Sequence, residues 1–200
     1  MSIFFVGDSQ LKYLHHVLDD DSNVRFSSGF RVEQIWDLLS GVVFNFRTIA
    51  IHVGTNNIPH EDPSTILHRY RYLLQSIWKA NPSARIIASG ILPRDLNCFE
   101  GARNNVGFID SCNGKARAIN AGLKQMAATT PLLEFSPHPA FGVDRRTANR
   151  HLLSRDGLHL TRQGIQELKD DIFRSRSVCD VPSVSVCDVS CVDDVSSVAV

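Results

Sequence analysis

The opening residues constrain the fold more than any other stretch. Ile3-Phe4-Phe5-Val6 is an uninterrupted apolar run of β-branched and aromatic residues, the pattern of a parallel strand covered on both faces. Comparable runs recur at Thr48–Val53, at 84–92 around Ile86-Ile87, and at Leu132–Phe135, with a shorter one at 24–27. Between them the apolar residues fall at helical spacing: Leu11, Leu14 and Leu18; then Val32, Ile35, Trp36 and Leu39; then Ile66, Tyr70, Leu74 and Ile77. Ile109, Cys112, Ala116, Ile119, Leu123 and Met126 continue the pattern, and Ile165, Leu168 and Ile172 end it. Strands alternating with helices predict a three-layer α/β/α sandwich around a five-stranded parallel sheet. Trp36 and Trp78 fall on apolar helix faces and are expected in its core.

Local signals set the boundaries. Asp62-Pro63 places an aspartate N-cap before a proline at the first helical position, and Thr161 is the expected cap of the last helix. Asn81-Pro82 stops the helix that Asp62 opens. Residues 93–107 read as a polar loop, and 138–155 as a long irregular stretch rich in arginine. From Ser177 the composition changes to Ser-Val-Cys-Asp-Val units repeating every eight residues. Three short copies cannot bury a core of their own. The expected organisation is one domain over 1–176 and a disordered low-complexity tail over 177–200.

Composition limits the function classes. The chain has 200 residues, enough for one domain with a real core, and Lys plus Arg equals Asp plus Glu at 21 each. Zero net charge argues against a dedicated nucleic-acid binder, which carries a basic excess. No stretch approaches the ~20 apolar residues of a membrane span. The N-terminal apolar run is too short for a signal peptide and lacks a basic region before it. Cys98, Cys112, Cys179, Cys187 and Cys191 are odd in number and lack metal-site spacing, which fits a reducing compartment. The expectation is a cytoplasmic protein, or one domain of a longer polypeptide.

Three turns converge on one edge of the expected sheet. Gly7-Asp8-Ser9, Ser28-Gly29 and Gly54-Thr55-Asn56 each follow a strand at its carboxyl end, where ligands bind in parallel α/β sheets. Ser9 stands where a strand ends and a helix is expected to begin, beside unpaired N–H groups suited to an oxyanion. The plainer reading is that Asp8 or Ser9 only caps that helix. Asp156 and His159 add a base and its partner. A carboxylate that accepts from one imidazole nitrogen fixes the tautomer and leaves the other nitrogen free to take a serine proton.

In this order, Gly7-Asp8-Ser9, Gly29, Gly54-Thr55-Asn56 and Asp156-Gly157-Leu158-His159 resemble the four sequence blocks of the SGNH (GDSL-like) hydrolases. The resemblance spans residues 3 to about 173. It is nearest the platelet-activating-factor acetylhydrolase-like branch and also extends to the esterase domains of some non-LTR retrotransposons. It implies a flavodoxin-like SGNH hydrolase fold, with Ser9 as nucleophile, His159 as general base and Asp156 as its orienting partner. The backbone N–H groups of Ser9 and Gly29 and the side-chain amide of Asn56 would form the oxyanion hole. Two positions depart from the pattern. Gln10 stands where a leucine is usual, and Asn57 replaces an aspartate, which puts the rigidity of that loop in question.

The implied activity is that of a serine esterase acting on a small-molecule ester through an acyl-enzyme, with no metal or other cofactor. Lipase, acetyl-esterase and thioesterase chemistry share this machinery. The alternative is a binding module on the same fold for nucleic acid or protein, as part of a retroelement polypeptide. Arg145, Arg146 and Arg150 form a basic segment before the Asp156 block, readable as a solvated loop or as a rim for anionic substrates. His15, His16, His52, His60 and His68 lack metal-ligand spacing and are assigned to surface or packing.

Overall fold

The computed structural model describes residues 3–18, 23–142 and 148–177. Arg145, Arg146 and residues 178–200, including nearly all of the repeat tail, lie outside the described residues. The chain runs β1 (Phe4–Gly7), β2 (Asn23–Phe26), α1 (Ile35–Leu39), β3 (Thr48–His52), α2 (Pro63–Ala80), β4 (Arg85–Ser89), α3 (Val106–Thr129), β5 (Leu133–Ser136) and α4 (Arg162–Ser177). The five strands form one parallel sheet in the order β2-β1-β3-β4-β5.

The apolar runs are continuous because both faces are covered. Successive side chains on a strand point to opposite faces. Phe4, Val6, Ile49, Ile51, Ile86 and Ala88 therefore face one core, with Ile35, Leu39, Ile66, Leu74, Ile77, Ile119 and Leu123 from α1, α2 and α3. Phe5, Ala50 and Ile87 stand in register across β1, β3 and β4. They face the other core, with Leu11, Leu14, Leu152, Ile165, Leu168 and Ile172. Trp36 and Trp78 are half-buried at the margin of the first core, and the Trp78 indole N–H donates to the Ala84 carbonyl at 2.9 Å.

The segment after β1 differs from expectation. It holds two 3₁₀ turns, Ser9–Leu11 and Leu14–His16, in place of an α-helix. Leu11, Leu14 and Val17 are three apart, and all three pack on the second core. A spacing of three aligns residues on one side of a 3₁₀ helix better than of an α-helix. The expected helix from Val32 is likewise a 3₁₀ turn, Val32–Gln34, running into the five-residue α1. Elsewhere the boundaries move by a residue or two, and Asp62 caps α2 through a bond from the Thr65 N–H at 2.9 Å. The Thr161 hydroxyl accepts from the Gly164 N–H at 3.1 Å at the start of α4.

Candidate active site

Gly7 makes the first turn possible. A Cβ there would lie 1.9 Å from the His52 carbonyl oxygen, so only glycine lets β1 end under β3. The Asp8 N–H then donates to that same carbonyl at 3.2 Å. Asp8 is the cap of the turn, its carboxylate accepting from the Gln10 N–H at 3.0 Å. Ser9 is not consumed in capping. Its hydroxyl meets His159 Nε2 at 3.0 Å, across 150 positions of sequence.

His159 is held by a turn that the Asp156 carboxylate organises. Oδ1 accepts from the Ser154 hydroxyl at 2.6 Å and from the Leu158 and His159 N–H groups at 2.9 Å each. Oδ2 accepts from His159 Nδ1–H at 2.6 Å. Burial alone would raise the Asp156 pKa, but these bonds outweigh it and hold the carboxyl well below the usual range. With Nδ1 carrying the hydrogen, Nε2 is the acceptor and the Ser9 hydroxyl donates to it. The turn is also tied to the 95–98 loop: Asp95 N–H donates to the Gly157 carbonyl at 2.8 Å, and Cys98 N–H to the Arg155 carbonyl at 2.7 Å.

Gly29 and Asn56 complete the edge. Gly29 has φ +77°, a conformation that a side chain would strain. Asn56 donates one amide hydrogen to the Phe30 carbonyl at 2.9 Å, and a primary amide has a second to offer. Ser9, Gly29, Asn56, Asp156 and His159 all line one cleft of about 640 Å³, together with Gln10, Tyr13, Leu158, Leu160 and Ile165.

Asn57 does not loosen its loop. It is fully buried. Its oxygen accepts from the Val32 N–H at 3.0 Å, and its amide donates to Glu33 at 3.0 Å and to Glu61 at 3.2 Å. An aspartate there would face two carboxylates, so the neutral amide suits this surrounding. Arg94, which the sequence did not single out, reinforces the same loop by donating to the Thr55 carbonyl and, at 3.1 Å, to its hydroxyl.

Arg150 serves the loop beside the site. It does not line the cleft. Its guanidinium donates to the Leu96 and Arg155 carbonyls at 2.9 Å each, so it ties the 95–98 loop to the Asp156 turn. His52 takes the packing half of the surface-or-packing reading. It is buried and bonded on both nitrogens, to Ser89 Oγ at 2.7 Å and to Gln10 Oε1 at 3.0 Å. Ser89 Oγ meets His138 Nε2 at 2.7 Å, and His138 Nδ1 meets Asp171 at 3.0 Å. This second Ser-His-Asp array is sealed, with Ser89 0% exposed, so its hydroxyl is closed to substrate. The available signal was position: His52 and Ser89 are polar residues ending apolar strands.

Among the described residues no group of His, Cys, Asp or Glu could hold a metal ion, and no helix is long and apolar enough to cross a membrane.

No protein-family model and no curated protein matches the sequence. Solved structures do. A candidate platelet activating factor from Streptococcus pneumoniae superposes with a TM-score of 0.72 at 21% identity, over 86% of this chain and 82% of that one. A candidate acylhydrolase from Bacteroides fragilis gives a TM-score of 0.69 at 18% identity, over 88% and 86%. A GDSL-like lipase from Bacteroides thetaiotaomicron gives 0.63 at 18%, over 86% and 88%. At these identities the likeness is one of architecture, and with the strand order 2-1-3-4-5 it identifies the chain as having the SGNH, or GDSL-like, hydrolase fold.

Proposed function

We propose that this protein is a serine esterase that hydrolyses carboxylic esters through an acyl-enzyme on Ser9. The observation that carries the reading is the continuous Ser9–His159–Asp156 relay, which opens on a cleft that Gly29 and Asn56 also line. The acylhydrolase and the lipase among the structural relatives support it as well.

The reaction follows from the proton positions. Ser9 Oγ attacks the ester carbonyl carbon as its proton passes to His159 Nε2, and Asp156 stabilises the imidazolium. The carbonyl electrons move to oxygen, and the resulting oxyanion takes hydrogen bonds from the Ser9 and Gly29 N–H groups and from the free N–H of Asn56. Collapse breaks the ester C–O bond, and His159 returns its proton to the leaving alcohol. Water then gives a proton to His159 and attacks the acyl carbon, and the second collapse releases the carboxylic acid while Ser9 recovers its proton. Apart from that water, every step uses groups of this chain alone.

The test combines covalent labelling with turnover. A fluorophosphonate should label the wild type at Ser9, and a panel of nitrophenyl esters from acetate to palmitate should report hydrolysis and acyl preference. Ser9→Ala should fold, fail to label and lose on the order of a millionfold in kcat. A wild type that neither labels nor hydrolyses any ester would assign the fold to binding instead.

A further inference from the structure

Two hydrogen bonds join the same pair of chain segments. Ser9 meets His159, and the next residue, Gln10, meets the one before His159: Gln10 Nε2 donates to the Leu158 carbonyl at 2.8 Å. Gln10 is 3% exposed, while Leu158, like Ser9 and His159, is partly buried.

The direction of the bridge is dictated by chemistry. A carbonyl only accepts, so the amide nitrogen of Gln10 must face Leu158 and its oxygen must face His52. His52 Nε2 therefore carries the hydrogen that Gln10 Oε1 accepts at 3.0 Å. Burial, then His138, lowers the His52 pKa to about 3, so the ring is neutral and Nδ1 is bare. Nδ1 accepts the Ser89 hydroxyl at 2.7 Å, and Ser89 Oγ in turn accepts from His138 Nε2–H at 2.7 Å. His138 Nδ1 rests on Asp171 at 3.0 Å, and Arg174 donates to the other oxygen of that carboxylate at 2.7 Å. The Gln10 amide cannot flip without breaking bonds on both sides. It is the final link of a buried chain anchored on α4 and ending at the catalytic turn.

The two bridges differ once chemistry begins. When Ser9 carries an acyl group it has no hydroxyl to give His159, and that contact is lost. The Gln10–Leu158 bond involves no reacting atom and persists. We propose that Gln10 is a positioning residue for deacylation, holding His159 over the acyl-enzyme while it activates water. This rests on the esterase reading above. It does not make Gln10 a catalytic residue, because its amide acts through the Leu158 backbone.

The kinetic signature is specific. If only deacylation slows, acyl-enzyme accumulates, kcat and KM fall together and kcat/KM is preserved. Misplacement of a catalytic group by about 1 Å can cost ~10²-fold. Gln10→Met, which keeps the length and removes both polar atoms, should lower kcat by roughly ten- to a hundredfold on an activated nitrophenyl ester, with KM falling in proportion. A pre-steady-state burst of nitrophenol close to one per active site should appear, and the acyl-enzyme should be visible by intact mass. Gln10→Asn retains the amide one methylene short of Leu158; it should show the same split and serves if the methionine variant does not fold. Unchanged kcat and KM in a folded variant, or a fall in kcat/KM without a burst, would overturn the proposal while leaving an active wild type as an esterase. A wild type inactive toward esters and fluorophosphonate would instead overturn the functional reading itself.

Discussion

Replacing Asp8 by asparagine should change how the stability of this protein depends on pH. Asp8 is 0% exposed; one oxygen accepts from the Gln10 N–H, and Oδ2 meets no partner among the described residues. Burial raises its pKa from 3.8 to about 7, against the lowering influence of the Gln10 bond, His159 and Arg94. A carboxyl whose pKa is higher in the folded state binds its proton more tightly there. Its contribution is therefore fully present below the unfolded pKa and is lost as pH rises through about 7. At ~1.36 kcal/mol per pKa unit the whole loss is ~4 kcal/mol, of which ~3 kcal/mol falls between pH 5 and pH 8. His52 opposes this: its pKa falls from 6.5 to about 3 on burial beside His138, so its contribution is present above 6.5 and is lost as pH drops towards 3. In the wild type the two slopes offset each other over much of the acid range. The asparagine side chain would keep an acceptor for the Gln10 N–H and cannot ionise, so Asp8→Asn removes one slope and exposes the other. Urea unfolding of both proteins at pH 5 and pH 8 measures the difference. The variant should gain ~3 kcal/mol on the wild type over that interval. A difference that does not vary with pH would refute the ionisation cost assigned to Asp8.

Two further substitutions separate chemistry from architecture. Asn56→Ala should lower kcat by roughly 10²–10³ with KM nearly unchanged, because an oxyanion donor strengthens its bond only as charge develops. Asn56→Asp should be at least as damaging, and wild-type kinetics in either folded variant would remove Asn56 from the site. Arg150→Gln should depress the melting temperature and affect anionic and neutral esters alike, since the guanidinium is bonded to the Leu96 and Arg155 carbonyls. A loss confined to anionic esters would return Arg150 to the substrate rim.

The sheet was legible because Phe4 to Val6, Ile49 to Ile51 and Ile86 to Ala88 are buried on both faces, leaving no polar residue to blur the runs. The pairing of Ser9 with the Asp156–His159 turn came from the resemblance of the four blocks, in their order, to those of the SGNH hydrolases; the three-residue spacing of Asp156 and His159 carries little by itself. The segment after Ser9 was not legible, since Leu11 and Leu14, three apart, suit either kind of helix and only the packing decides. Nor were the roles of Gln10, His52, Ser89, His138 and Asp171. Their partners lie 33 to 148 positions away, and no local pattern records a bond over such a distance. The setting of Asn57 was hidden in part for the same reason: Glu61 is four residues on, but Glu33 is 24 positions away and only the fold brings it beside the amide.

The 150 positions between Ser9 and His159 have a consequence for a chain made from its N-terminus. Ser9 and the strand before it are made before the turn at 156–159, and on the esterase reading the hydroxyl has no base until that turn has been synthesised and docked. On that reading, a polypeptide that ends before this turn carries an unreactive serine and cannot attack esters. Reaction of Ser9 with a fluorophosphonate would thus report the docking of the 156–159 turn against β1 more directly than any measure of secondary structure.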